Sequence, residues 1–314
     1  MSRRLGAVLL GLGLLSGCAR SAGPGAAAGR PAPLIIGHAG SGFLTPFNRF
    51  NPLPPSSLGG VTQALAHGAD GVEVDVQLSQ DSVLMLFHDP WLQGITPAQG
   101  CVSQFAAAEL ARLPYRGGWP YDWFQHERVA PLETLLARLS QHPAAYPVLH
   151  LDLHEADYCA PAGQTYARSP ALVRALGRLL RRYPVPAGRL LVLTEHIPSL
   201  PRLAQELPGV PLGLEITGAV DERLATAPQL PVAAVVLPKT LATPARVAQA
   251  QAAGLQVVLF GGRSRGTITR LLACRPNALQ TDHVPRARRL SRHLAAPARP
   301  LEATLHAPNR EGTR

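Results

Sequence analysis

Glu73 and Asp75 stand in the apolar run Gly71-Val72-Glu73-Val74-Asp75-Val76, and the run Leu84 to Phe87, ending at His88-Asp89-Pro90, follows after one short turn. An extended chain alternates its side chains between two faces, so both carboxylates point one way and Val72, Val74 and Val76 the other. Two carboxylates in one small space repel each other, and beside an imidazole they call for a cation. Oxygen ligands at this spacing suit a hard divalent ion, Ca²⁺ or Mg²⁺, better than zinc. Without a cation the pair would be buried and hydrogen-bonded, with one pKa pushed sharply up. A second imidazole, His38, closes the run Leu34 to Gly37 just before Gly40. An imidazole, titrating near pH 6.5 when unperturbed, can give or take a proton, so the chemistry implied is cation-assisted acid–base catalysis.

Strands must hold these residues. After residue 130, apolar runs at Val148 to Leu153, Leu190 to Leu193, Leu212 to Ile216, Ala233 to Leu237, Leu255 to Phe260 and Ala278 to Thr281 alternate with helical patterns. That is the signature of repeated βα units. Pro170 to Arg182, with Ser169 as N-cap, and Pro244 to Ala253, ending at Gly254, read as two of the helices. Polar residues gather at the C-terminal ends of the strands: His38, Glu73, Asp75, His88, Asp152, His154, Glu195, Glu215 and Lys239.

His38-Ala39-Gly40 after the first strand, Gly-Ala-Asp-Gly-Val-Glu-Val-Asp-Val at 68–76, and His88-Asp89 together resemble the glycerophosphodiester phosphodiesterase family. The match is tight over 34–90, looser at 149–152 and 279–282, and thin elsewhere. The resemblance implies a single-domain TIM (β/α)8 barrel, with the site at the strand C-terminal ends. The strands starting near 34, 71 and 84 raise the count to nine, one too many; 71–77 and 84–88 then read as separate barrel strands with no helix between them, and one short strand as misassigned.

The resemblance also assigns roles. Glu73 and Asp75 match the metal ligands, joined by Asp152 where the family usually has glutamate; the similar spider-venom sphingomyelinase D proteins also carry aspartate there. His38 and His88 match the two catalytic imidazoles. One takes a proton from the hydroxyl beside the phosphodiester, the freed oxygen attacks phosphorus, the other protonates the leaving alcohol, and water opens the cyclic phosphate. The family's His-Arg-Gly is His38-Ala39-Gly40 here, its Pro-Glu-Asn is Pro55-Ser56-Ser57, and the lysine two residues beyond the third metal acid is His154. Two phosphate-facing cations are thus replaced, leaving His154 and Lys239 as candidates to bind substrate. The substrate implied is a glycerophosphodiester-like or lysophospholipid-like small molecule. A phospholipase D-type enzyme that stops at a cyclic phosphate, and a non-catalytic lipoprotein that binds phosphoryl groups, are the alternatives.

With 314 residues, 46% of them hydrophobic and 16% charged, the chain can bury a large core. Arg3 and Arg4, the apolar run Leu5 to Leu15 and Leu15-Ser16-Gly17-Cys18 read as a signal peptide over 1–17 that resembles the bacterial lipobox, with Cys18 lipidated. An ordinary cleaved signal is the alternative. Residues 18–33 then form a Gly/Ala/Pro-rich tether, 34–294 the barrel and 295–314 a fraying tail. The protein would be exported and membrane-anchored through its lipid, in the periplasm or at the cell surface. Export permits a Cys101–Cys159 disulfide between loops on the active-site side, whereas Cys274 reads as a buried small hydrophobe. The net charge of +10 rests on arginine, Lys239 being the only lysine, and no aromatic interleaving or motif points to nucleic acid. Phe43, Phe47 and Phe50, with Arg49, stand on a long loop that either meets an acyl chain or membrane interface or folds back as a lid. His150 reads as a packed polar residue deep in the barrel, and His67 and His283 as structural.

Overall fold

The structure, a computed structural model, describes residues 32–47 and 49–295, and the side chains among them up to residue 293. The signal, Cys18, nearly all of the tether and nearly all of the tail lie outside the described residues. Ten strands share one sheet: β1 (Leu34–Gly37), β2 (Gly71–Leu78), β3 (Leu84–Leu86), β4 (Ala130–Pro131), β5 (Val148–Leu153), β6 (Leu190–Thr194), β7 (Leu212–Glu215), β8 (Ala234–Pro238), β9 (Gln256–Phe260) and β10 (Ala278–Thr281). Eight of them, β1, β2 and β5 to β10, run parallel in a barrel that closes where Ile36 of β1 pairs with Gly71 of β2. A helix follows each barrel strand onto the outer surface, from Leu58–Ala66 after β1 to Val284–Ala295 after β10. This is a TIM barrel of a single domain.

The ninth candidate strand is not part of the barrel. β3 runs antiparallel to the far end of β2, pairing Val76 with Leu86, and β4 pairs antiparallel to β3 beyond it. β2 outruns its barrel partner β5 by two residues, Gln77 and Leu78, and its free end pairs with β3 as a hairpin. Leu84 and Leu86 join the main core, while Met85 and Phe87 on the opposite face enter a separate apolar cluster with Leu92, Val102, Leu110 and Tyr115. The long segment between His88 and β4 thus has its own small core beside the barrel mouth. Arg168 ties the hairpin turn back by donating to the carbonyls of Ser79 and Gln80.

The period-two pattern sorts the strands' side chains. Val72, Val74 and Val76 pack outward against the helices with Leu149, Leu151 and Leu153, whereas Ile36, Val148, Leu191, Leu193, Ala234, Val236, Val258 and Ala278 fill the barrel interior. Above that plug lies His150, 3% exposed, its Nδ1 3.0 Å from Nε2 of Gln280. Glu73 lies opposite His150, and one step further along the strands come Asp75 and Asp152, so the interior here becomes acidic. A side chain at Gly71, where β2 meets β5, would place its Cβ 2.0 Å from the Val148 carbonyl, so only glycine allows this approach. The helix Ser169–Arg182 starts one residue before the expected proline: Ser169 is inside it with a buried hydroxyl that has no partner among the described residues, and Arg168 holds the position expected for a serine cap. Cys274 is free and buried, its thiol donating to the Arg270 carbonyl.

Candidate active site

β2 and β5 lie in register with Asp75 opposite Asp152 and Glu73 opposite His150, which places the three expected metal acids at one corner of the barrel mouth. Asp75 and Glu73 are almost fully buried. Asp75 is held from two sides: the Ser56 hydroxyl donates to its Oδ2 at 2.6 Å, and its own backbone N–H donates back to Ser56 at 3.0 Å. Glu73 accepts the Ala39 N–H on Oε2 at 2.7 Å, while its Oε1 is buried with no partner among the described residues. Ala39 and Ser56, at φ 44° and 56°, both occupy the left-handed region that non-glycine residues rarely enter. Such conformations cost of order 1 kcal/mol each and persist where the surroundings dictate them. Here the two strained residues are the ones that present an N–H and a hydroxyl to the acids, and Ser56 N–H donates to the Ala39 carbonyl.

His154 sits between the aspartates. Its Nε2 is 3.0 Å from Oδ1 of Asp75 and 3.5 Å from Oδ2 of Asp152. Burial opposes protonation of this imidazole, but its bonds to Asp152 and Asp75 and their charges hold its pKa well above the ordinary histidine value. Burial likewise opposes ionisation of Asp75, and the His154 bond and charge, with His88 nearby, outweigh it and hold the carboxyl well below the usual range. Glu73 goes the other way: burial, then the charges of Asp75 and Asp152, push it well up. Glu215, on β7, is pushed up to about 10 by burial and by its charge and hydrogen-bond contacts with Asp152.

Four carboxylates therefore crowd one space with a single imidazole among them, and one of their buried oxygens has no partner. A divalent cation fits this donor set. Ligand atoms of Asp75, Asp152 and His154 lie within 4.8 Å of one another, and Glu73 stands beside them. His154 adds an imidazole beside the all-oxygen set expected from spacing, and when protonated it pairs with the two aspartates and offers no lone pair.

The expected catalytic imidazoles have matching supports. His38, just past β1, donates Nδ1–H to Oδ1 of Asp282 at 2.7 Å, and His88 does the same to Oδ1 of Asp89 at 2.7 Å. Each Nε2 is then the free proton site. Burial alone would lower His88, but the Asp89 bond and the Asp75 charge outweigh it and raise its pKa. The ring of Phe43 contacts both, its centroid 5.4 Å from that of His38 and 4.9 Å from that of His88. His154 is 5.5 Å beyond His88, centroid to centroid. A cavity of about 190 Å³ opens alongside, lined by Gln77, His88, Asp152, His154, Glu195 and Glu215 among others.

Among the described residues no hydrogen bond or ion pair joins the Lys239 side chain to this cluster. Its backbone N–H donates to Phe260, its chain lies over Gly261 at the rim, and its amine is exposed with no ion pair among the described residues. Ser56, Asp89, Asp282 and Glu215 contribute to the site without having been assigned roles from sequence; the one available signal was that Asp89, Asp282 and Glu215 each end or follow an apolar run. The structure joins Cys101 to Cys159, Cα to Cα 5.9 Å, pinning the segment after His88 to the loop after β5.

A closed parallel barrel with imidazoles and carboxylates at its strand C-terminal ends defines the class, a TIM barrel with an acid–imidazole site. The model of the glycerophosphoryl diester phosphodiesterase family matches residues 50–286, and the chain belongs to that family. It is 33% identical over 104 residues to a putative glycerophosphodiester phosphodiesterase of Bacillus subtilis, covering 33% of this chain and 39% of that one. To a probable glycerophosphodiester phosphodiesterase 1 of Mycobacterium tuberculosis it is 34% identical over 91 residues, 29% of this chain and 30% of the other. The chain spans about a third of the length of these curated relatives. Its fold is similar to that of a putative glycerophosphoryl diester phosphodiesterase from Silicibacter pomeroyi (TM-score 0.68, 20% identity, 85% of this chain and 95% of that one). It is also similar to a phosphodiesterase of Oleispira antarctica solved with its product sn-glycerol-3-phosphate (TM-score 0.66, 23% identity, 82% and 96%).

Proposed function

We propose that the protein hydrolyses glycerophosphodiester-like or lysophospholipid-like phosphodiesters, with His38 and His88 as the acid–base pair and Glu73, Asp75 and Asp152 holding Ca²⁺ or Mg²⁺. The observation that carries this is the duplicated support. Two imidazoles at strand ends each have Nδ1 engaged by an aspartate, beside a carboxylate cluster with one unpaired oxygen. Asp282 and Asp89 fix the tautomer, orient the rings and would stabilise the imidazolium that forms on proton uptake. One Nε2 takes the proton of the substrate's neighbouring hydroxyl as its oxygen attacks phosphorus. The other gives a proton to the departing alcohol, and, left neutral, then takes a proton from the water that opens the cyclic phosphate while the first returns its proton to the released hydroxyl. A bound divalent cation would neutralise charge growing on the phosphoryl oxygens. Ser56 keeps Asp75 aimed, and His154, where the family has lysine, supplies the one positive group within the cluster.

Ala39, buried where the family has arginine, leaves phosphate with fewer cations, so slow turnover is part of the proposal. The same feature is what favours the alternative, a phosphoryl-binding lipoprotein without turnover. Purified protein incubated with glycerophosphocholine and with lysophosphatidylcholine separates them: release of alcohol that needs cation and stops in chelator supports the enzyme. No release from protein that demonstrably binds cation supports the binder.

A further inference from the structure

Beside the site mouth, large apolar rings face solvent: Phe47 is 77% exposed, Trp119 77%, Trp123 72% and Phe124 61%. They stand on two loops that touch each other. Phe50 stacks on Tyr121 with centroids 5.7 Å apart and meets Phe124 edge-on at 5.1 Å, and Trp119 meets Trp123 edge-on at 6.3 Å. Gly117 lies so close to Leu44 and Tyr121 that a Cβ there would come within 2.9 Å of both side chains, so segment 115–125 is seated against Leu44. Contiguous exposed apolar surface of this kind marks a place where something binds.

We propose that this surface docks the protein onto a phospholipid bilayer containing anionic lipid. Tryptophan beside tyrosine and phenylalanine suits the headgroup boundary, where an apolar ring and a polar edge are both satisfied. The charges agree. Arg49 stands exposed between Phe47 and Phe50, Arg116 is exposed just before Gly117, and Arg263 beneath them donates to the Phe43 carbonyl. The one carboxylate within the two segments, Asp122, is turned onto the amides of Gly117 and Gly118. Burial first, then Arg286, Arg263 and Arg49, lower the nearby His283 to about 4, as a positive neighbourhood would. An isologous contact between two copies would set these arginines against each other, whereas anionic headgroups would neutralise them. The ring of Phe43, four residues before Phe47, touches both site histidines, so docking sets the site mouth at the lipid surface. The proposal is independent of whether the site turns over its substrate.

The test uses the full chain carrying Trp91→Phe, which leaves Trp119 and Trp123 as reporters, and vesicles of phosphatidylcholine and phosphatidylglycerol with brominated acyl chains. Bromine quenches only rings that reach the chains, so binding through the N-terminal segment alone gives no signal. The expected result is blue-shifted emission quenched by bromine. Removing buried apolar area weakens partitioning, so Phe47→Ser/Phe124→Ser should raise the lipid needed for half-maximal quenching by about tenfold. Arg49→Asn should raise it several-fold with anionic vesicles and leave it unchanged with phosphatidylcholine alone. Absence of quenching while the chain sediments with the vesicles, or an unchanged lipid requirement in the folded double variant, overturns the proposal. So does an emission shift that follows protein concentration without vesicles and is insensitive to bromine, which would mark self-association instead.

Discussion

Replacing Glu73 by glutamine should leave the cation-free protein as stable as before, or more stable, yet remove most of its response to cation. In the native protein this carboxylate is buried, faces the charges of Asp75 and Asp152, and has one oxygen without a partner. Glutamine keeps the oxygen that accepts the Ala39 N–H and removes the charge that its neighbours resist. A ligand that binds only the native state stabilises it by about 2.7 kcal/mol at a hundred times its Kd. If losing this oxygen weakens binding about 10- to 100-fold, the same cation concentration yields only about 0.4 to 1.4 kcal/mol. For a domain of this size 1 kcal/mol moves Tm by roughly 2–4 °C, so a cation-induced rise of about 5–10 °C should shrink to about 1–5 °C. Calorimetry of both proteins in chelator and in cation at a hundred times the measured Kd reads this directly. A variant as responsive as the native protein, or one destabilised equally in chelator and in cation, would refute Glu73 as a ligand and leave it a structural residue.

Further expectations concern the imidazoles, the disulfide and acid stability. His38→Ala and His88→Ala should each lower kcat by about 10²-fold or more, the usual size of an acid–base contribution; Asp282→Asn should lower it less, with KM unchanged. Equal kcat in native protein and His38→Ala would exclude the acid–base role. Replacing Cys101 and Cys159 by serine opens a span with a sequence separation of 58 and should cost up to about 4 kcal/mol in urea unfolding, by the chain-entropy relation. An unchanged midpoint would show that the bridge constrains nothing. The folded pKa of His283 is depressed, first by burial and then by Arg286, so between pH 6.5 and about 4 the unfolded chain takes up a proton that the native one refuses. Its stabilising contribution is present above pH 6.5 and lost as pH falls through that window. His283→Gln should flatten this part of the stability profile, and an identical profile would count against it.

The acid pair was legible because period-two alternation alone puts Glu73 and Asp75 on one face, and the fold was legible from the alternation of apolar runs with helical ones. β3 was misplaced for a physical reason: Leu84 to Leu86 is buried on both faces, by the main core and by the cluster around Phe87, so its apolar run looks like a barrel strand. Nothing in a run of three residues specifies antiparallel pairing. Lys239 was placed at the correct strand end, but the direction of its side chain depends on the Gly261 backbone it lies against. Ser56 looked like the loss of a carboxylate. Its hydrogen bond to Asp75 depends on a left-handed backbone and a contact 19 residues apart, which no local pattern encodes. His154 was visible as a replacement for lysine, whereas its seat between Asp75 and Asp152 follows from the strand register.

Phosphorus NMR of glycerophosphocholine incubated with the purified protein reads the reaction product itself. A phosphomonoester resonance should grow in Mg²⁺ or Ca²⁺, be absent in chelator, and grow about 10²-fold more slowly or less with His38→Ala. An accumulating five-membered cyclic phosphate would replace the hydrolase reading with the phospholipase D-type one. An unchanged diester signal, in protein shown by calorimetry to hold its cation, would contradict the enzyme assignment altogether.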